Sequence, residues 1–253
     1  MWLAALITAA ILDTGEVPGA DFVPGTSTPD SDVPAYFIIM DGDTIFASYL
    51  PLDSLVHRGP LTDADYAEIA GELGVEPAVI HAVVEVETGK TRLAFHSEGK
   101  PLINYDSGLF QRLAAKRGVD LAKARREHPE AFQPLNRARY GTQQAAQQAR
   151  LDAAMAIDSI AAIEATFWGM FQIAGFNYAL AGAGDHMDFV RRMSQSEYDQ
   201  LVCFANFIRN SGMLRHLKTR NWAAFARMYN GPGYANRGYH TKMAAAYRRN
   251  KGR

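Results

Sequence analysis

Cysteine is almost absent from this chain: among 253 residues only Cys203 occurs, within the apolar run Leu201-Val202-Cys203-Phe204. A single thiol closes no intramolecular disulfide, so a disulfide scaffold is excluded, and a thiol on an apolar helical face reads as buried and inert. Long hydrophobic runs are missing as well. The longest, Met1 to Leu12, covers 12 positions even with Thr8 counted, whereas a membrane-spanning helix needs about 20; no transmembrane segment is expected. The same stretch has no Lys or Arg at its start and no clear small-residue cleavage site, which argues against a secretory signal. Basic residues are scarce in the first third of the chain. Residues 1–85 carry 14 Asp or Glu and one basic residue, Arg58, which leaves 13 acids and 25 bases for the rest. Such a basic body favours an anionic polymer as partner, although charge alone does not choose between nucleic acid and cell wall. With 48% hydrophobic and 21% charged residues, the chain has material for one sizeable core or two small ones.

Proline and β-rich runs dominate the start of the chain. Six of the eleven prolines (Pro18, Pro24, Pro29, Pro34, Pro51 and Pro60) fall in the first 60 residues and oppose long helices there. Tyr36 to Met40 and Thr44 to Tyr49 flank Asp41-Gly42-Asp43, a turn-forming triplet that predicts a hairpin. Residues 1–60 are therefore read as an N-terminal lead segment with a β-hairpin, and residues 61–253 as the main domain. From residue 61 the signals are helical. Thr62 and Asp65 form a T-x-x-D start, Tyr66, Ile69, Ala70 and Leu73 follow at helical spacing, and Gly74 ends the segment. A second helix is predicted from Pro77 to Gly89. Others are predicted from Thr142 to Glu164, from Gln195 to Asn210 behind the capping box Ser194-x-x-Glu197, from Trp222 to Met228, and from Tyr239 to Arg249. Short helices are expected near Leu109 to Lys116 and Asp120 to Arg126. No internal repeat is present, and the fold class is mainly α.

The second helix separates two kinds of acid. Val79, Ile80, Val83, Val84 and Glu87 share one side, while His81 and Glu85 share another. Glu87 thus lies in line with the apolar stripe and in the last turn, where the helix dipole disfavours ionisation; burial would add to that effect. A glutamic acid kept protonated near neutrality suits general-acid attack on a glycosidic oxygen. The plainer reading is a helix-end Glu bonded to Thr88 or to a basic partner. Two further stretches place aromatic and amide side chains beside glycine, as sugar sites do: Trp168-Gly169-Met170-Phe171-Gln172-Ile173 and Tyr229-Asn230-Gly231-Pro232-Gly233-Tyr234. Each alone is equally consistent with a core aromatic cluster or a helix end with a turn.

As an ordered set, E-T-G at Glu87, W-G-M-F-Q-I at Trp168 and A-x-x-Y-N-G-P-G-Y at Ala226 resemble the peptidoglycan N-acetylmuramidase domain of phage endolysins and bacterial cell-wall effectors. More distantly they are similar to soluble lytic transglycosylases and goose-type lysozymes, whose E-S-x-G, G-L-M-Q and Y-N motifs occur in the same order. The resemblance runs from about Leu61 to Arg249. It implies a lysozyme-like helical domain that cleaves the β-1,4 bond between N-acetylmuramic acid and N-acetylglucosamine. Glu87 matches the catalytic acid, Trp168, Gly169 and Gln172 match the motif lining the sugar cleft, and Tyr229 and Asn230 match the pair beside the acid, with Tyr229 orienting Glu87. Thr88, Tyr105 and Tyr234 complete the expected substrate-binding set. A second carboxylate, in a stretch resembling L-F-E-R-H, corresponds to Asp106 within Ile103-Asn104-Tyr105-Asp106-Ser107-Gly108. Here the Arg and His of that stretch are missing, and Phe167 replaces the usual Ser before Trp-Gly.

The second carboxylate decides the reaction. An inverting hydrolase needs a base roughly 6.5–9.5 Å from the acid, whereas a lytic transglycosylase uses the substrate's own C6 hydroxyl and needs Glu87 alone. Asp106 is the first choice for the base, Asp158 and Glu164 are alternatives on the long helix, and Glu85 comes last because its spacing from His81 suggests a surface contact. The seven histidines show no close metal-ligand spacing, so neither a metal nor a cofactor is expected. Gly182-Ala183-Gly184 lacks a third glycine and a preceding strand and reads as a loop rather than a dinucleotide site. The clusters Lys123-Ala124-Arg125-Arg126 and Arg248-Arg249-Asn250-Lys251 would suit nucleic acid, but no recognition helix accompanies them, and no nucleic-acid partner is expected. A wall-binding module that keeps the cleft without catalysis is the remaining rival. The expected partner is the peptidoglycan glycan strand, met in the periplasm or cell wall after delivery from the cytoplasm, with the protein acting as a monomer. Three roles stand open for the acidic lead segment: covering the cleft, binding an immunity protein, or addressing the enzyme for delivery.

Overall fold

In the computed structural model the described residues are 20–24, 36–40, 43–47, 59–89, 93–97, 99–134 and 144–251, the first three as backbone only. Those three are strands β1 (Ala20–Pro24), β2 (Tyr36–Met40) and β3 (Asp43–Ala47). They form an antiparallel sheet in the order β1-β2-β3, with Met40 opposite Asp43 across the Asp41-Gly42 connection. The opening apolar stretch, Met1 to Leu12, and the expected strand end at Ser48-Tyr49 lie outside the described residues.

From Thr62 onward helices dominate, and the chain divides into two units. The first comprises Met1–Arg92, Leu180–Gly182 and Ser196–Arg253, the second Leu93–Ala179 and Ala183–Gln195. In the first unit, α1 (Asp63–Leu73) begins at a complete capping box, in which the Thr62 hydroxyl accepts from Asp65 N–H and Asp65 accepts from Thr62 N–H, and it ends at Gly74 with φ 64°. Its apolar positions Tyr66, Ile69, Ala70 and Leu73 are all buried, the 3.6-residue stripe of a one-sided helix. Next comes α2 (Pro77–Thr88), with Pro at its first position and Gly89 closing it at φ 65°. Helix α8 (Glu197–Asn210) is buried nearly all round and forms the centre of this unit. Asn206 and Asn210 of α8 donate to the carbonyls of Ala181 and Leu180, which ties that short segment to the helix. The unit is completed by α9 (Leu214–Lys218), α10 (Trp222–Asn230) and α11 (Tyr239–Asn250), of which α11 packs along α2.

The second unit contains a hairpin, β4 (Phe95–Ser97) with β5 (Lys100–Pro101), and an antiparallel sheet β6 (Ile103–Tyr105), β7 (Thr166–Trp168) and β8 (Ile173–Ala174) in that order. Around it stand α3 (Ser107–Lys116), α4 (Leu121–Glu127), α5 (Gln144–Ile157), α6 (Ser159–Glu164) and α7 (His186–Gln195).

Two departures from the sequence expectation have a capping reason. The helix expected from Thr142 to Glu164 is two helices, because Asp158 adopts an extended conformation (φ −153°, ψ 106°) and accepts from Ala161 N–H at 2.9 Å. That makes Asp158 an N-cap. The helix expected from Gln195 starts at Glu197 instead: Ser196, not Ser194, is extended and accepts from Asp199 N–H. Helix α7 was not anticipated. It buries only Phe189 and Met193 and shows a charged face, with Asp188 paired to Arg191 and Arg192. Among the described residues no helix is long and apolar enough to cross a membrane.

Candidate active site

The sites predicted from sequence fall in both units. In the first, the buried stripe Val79, Ile80, Val83 and Val84 of α2 carries Glu87 on the same side. Glu87 is half-buried, and Asn230, the last residue of α10, donates from Nδ2 to Glu87 Oε1 at 3.0 Å. Burial raises the Glu87 pKa to about 7, against a lowering contribution from the Asn230 hydrogen bond. Desolvation therefore dominates.

Tyr229 beside Asn230 is fixed by aromatic rings. It stacks on Phe225 one turn earlier (5.8 Å, interplanar angle 6°) and meets Phe204 and Phe207 of α8 edge-on at 5.5 and 6.2 Å. Its phenol pKa is pushed well up, first by burial and then by the charge of Glu87. The same two causes raise Tyr239, the first residue of α11, while Arg237 opposes them. Tyr239 is a site neighbour that sequence reasoning missed. Its one visible signal was an aromatic at a helix start directly after the Gly238 turn. Thr88, expected to meet substrate, is 3% exposed and donates its hydroxyl to Val84 O at 2.8 Å, so it closes the last turn of α2. Tyr234 is half-buried, its ring edge-on to His240 at 5.3 Å.

In the second unit the Trp-Gly motif forms the turn between β7 and β8. Trp168 is 4% exposed, donates from Nε1 to Ile163 O and meets Phe189 edge-on, so it belongs to the core under the turn. Gly169 has φ 69° and donates its N–H to Leu102 O at 2.7 Å. Gln172 is half-buried with φ 52°, a left-handed backbone rare outside glycine and enriched at functional sites. Its Nε2 donates to Gly169 O at 2.7 Å, and its Oε1 accepts from Asn104 Nδ2.

The second-carboxylate candidates each have a structural partner. Asp106 is exposed and N-caps α3, its Oδ1 accepting from Leu109 N–H at 2.9 Å. Tyr105 before it is 1% exposed, donates to Ala131 O and lies under the Arg150 guanidinium, which places it in the core. Asp158 caps α6 and holds Arg117 by two hydrogen bonds. Glu164 pairs with His186 at 3.0 Å. Glu85 is bound by Arg249 and Asn250 of α11, and His81 lies over Tyr66, 3.5 Å from Asp63. Cys203 is fully buried.

A mainly helical fold with a half-buried glutamate of raised pKa beside an Asn amide is the arrangement of a glycoside hydrolase of the lysozyme-like class. The chain belongs to the N-acetylmuramidase family: the family's sequence model matches residues 76–251, a span that includes every residue of both sites. It is similar to the crystal structure of a Burkholderia AP3 phage endolysin, with 37% identity over 79% of this chain and 76% of that one and a TM-score of 0.66. No match was found among proteins with curated descriptions.

Proposed function

We propose that this chain cleaves the β-1,4 bond between N-acetylmuramic acid and N-acetylglucosamine, with Glu87 as general acid. The observation that carries this reading is the Glu87 pocket, where burial raises the carboxyl pKa to about 7 and Asn230 directs one oxygen. Because Oε1 accepts the Asn230 N–H, the proton to be given resides on Oε2. Tyr229 and Tyr239 stay neutral, so no second negative charge forms beside Glu87 when it ionises. Asp106 is the proposed base: capping engages its Oδ1, and the other oxygen activates water. Gln172 and Tyr234, both partly open to solvent, are the proposed sugar contacts. The likeness to a phage endolysin supports action on peptidoglycan in the periplasm or cell wall.

One observation favours a second reading. Asp106, Asp158, Glu164 and Glu85 all have structural partners, which suits a reaction needing Glu87 alone, with the substrate's C6 hydroxyl attacking to leave 1,6-anhydro ends. Mass spectrometry of products from purified peptidoglycan separates the two. Reducing muramic ends that vanish in both Glu87→Gln and Asp106→Asn establish the two-carboxylate hydrolase. Anhydro ends that survive Asp106→Asn establish the transglycosylase, and no soluble product from the unmutated chain refutes both.

A further inference from the structure

Asn104 occupies the middle of β6, and its side chain is 3% exposed in a strand whose neighbours Ile103 and Tyr105 are apolar core. A buried amide there costs desolvation that an aliphatic side chain would not. Its Nδ2 donates to Gln172 Oε1, while its own Oδ1 is buried with no hydrogen-bond partner among the described residues. The orientation is forced by the third member of the chain. Gly169 O, which accepts from Gln172 Nε2 at 2.7 Å, is a carbonyl and can only accept. Gln172 must therefore turn Nε2 toward Gly169 and Oε1 toward Asn104, and Asn104 must answer with a donor. With one Nε2 hydrogen on Gly169 and Oε1 turned toward Asn104, the second N–H is the one donor of Gln172 left uncommitted by these two bonds. The left-handed backbone of Gln172, at φ 52°, fixes the root of the same side chain.

We propose that Asn104 is a positioning residue for substrate binding: it locks the Gln172 amide so that this side chain presents a hydrogen-bond donor, and not an acceptor, to an oxygen of the glycan strand. The orphaned Oδ1 is compatible with that lock, since the opposite amide orientation would set Oδ1 against the Gln172 carbonyl oxygen, which offers it no donor, and would lose the hydrogen bond to Gln172. The inference rests on the muramidase reading above.

The test compares the full-length chain with Asn104→Asp and Asn104→Leu, measuring initial release of reducing ends against peptidoglycan concentration from pH 4 to 8. With the carboxylate of Asn104→Asp ionised, Gln172 Oε1 loses its donor, and the half-saturating concentration is expected to rise about ten-fold, the effect of one lost hydrogen bond, with the maximal rate within about two-fold of the unmutated chain. As pH falls, the introduced carboxyl gains a proton and again offers a donor to Oε1. The ratio of variant to unmutated half-saturation should then return toward one. Asn104→Leu should show the same rise with no recovery at low pH, and its thermal unfolding at each pH checks that the fold is retained. A ratio that stays flat with pH in Asn104→Asp, or an unchanged half-saturation in a folded Asn104→Leu, overturns the proposal. Failure of the unmutated chain to release any product would instead overturn the muramidase reading.

Discussion

At the scale of single residues, the raised Glu87 pKa bears both on the pH profile expected of the proposed general acid and on stability. Its pKa near 7 means that kcat/KM should hold below neutrality and fall on the alkaline side as the acid loses its proton; a rate still rising at pH 9 would count against Glu87 as the acid. The same shift links to folding. A glutamate titrates near 4.3 when unfolded, so with the folded value raised, stability is fully present below that pH and is lost as pH rises toward 7. The loss is about 3 kcal/mol between pH 4 and 8. Glu87→Gln should therefore abolish activity and, at pH 8, unfold at higher denaturant than the unmutated chain, with the difference shrinking toward pH 4. Asn230 has the opposite influence. Its hydrogen bond lowers the Glu87 pKa, so Asn230→Ala should move the alkaline limb of the pH profile upward while lowering the rate about ten-fold through lost alignment. Glu87 was legible in the sequence because the apolar period of α2 singled it out from Glu85. The dipole argument for its shift was secondary, since burial is the leading cause. Tyr239 and Asn104 were not legible. Tyr239 matters through the charge of Glu87 and Asn104 through its hydrogen bond to Gln172, residues far along the chain, and no local pattern carries that information.

At the scale of elements, helix ends were legible where cap and stripe agreed. Thr62, Gly74 and Gly89 bound α1 and α2 as their side chains and turn preferences dictate. The break at Asp158 was hidden because Ala-rich sequence on both sides favours continuous helix, and the competing cap gains its second anchor from Arg117, 41 residues away. The sequence reading placed the cap at Ser194, whereas Ser196 caps α8, two residues later, and starts a helix that buries nearly every side chain. The turn that follows β8 makes a sharper demand on one residue. A Cβ on Gly175 would lie 1.9 Å from the Ile163 carbonyl oxygen, backbone that cannot move aside without disturbing the end of α6. Gly175→Ala should destabilise the protein by about 1–3 kcal/mol, read as a lower unfolding midpoint; an unchanged midpoint would mean that this turn relaxes freely.

At the scale of the whole molecule, the charge asymmetry of the sequence bears on how substrate is met. Residues 86–253 carry 25 bases against 13 acids, and the wall polymer is anionic. Association with whole cell wall should weaken as salt screens that attraction, with kcat/KM falling roughly ten-fold between about 0.05 and 0.5 M NaCl. A flat salt profile would show that the basic surface plays no part in capture. The mainly helical class was readable from composition and period alone. The division into two units was not, because segments 180–182 and 196 onward join the first unit across a long intervening stretch.

The pairing of α11 with α2 also has a temporal meaning. Glu87 and Tyr239 are 152 positions apart, and at ribosomal speeds of about 5–20 residues per second the nascent chain exposes the acid roughly 8–30 s before its surroundings exist. During that interval α2 has no α11 along its side, and Glu87 has neither Asn230 nor Tyr239, so its carboxyl is hydrated and ordinarily acidic. The raised pKa is thus acquired late in synthesis, when the partners of α2 emerge, and a chain stalled before Asn230 would carry the proposed catalytic glutamate without the setting that keeps it protonated close to neutral pH.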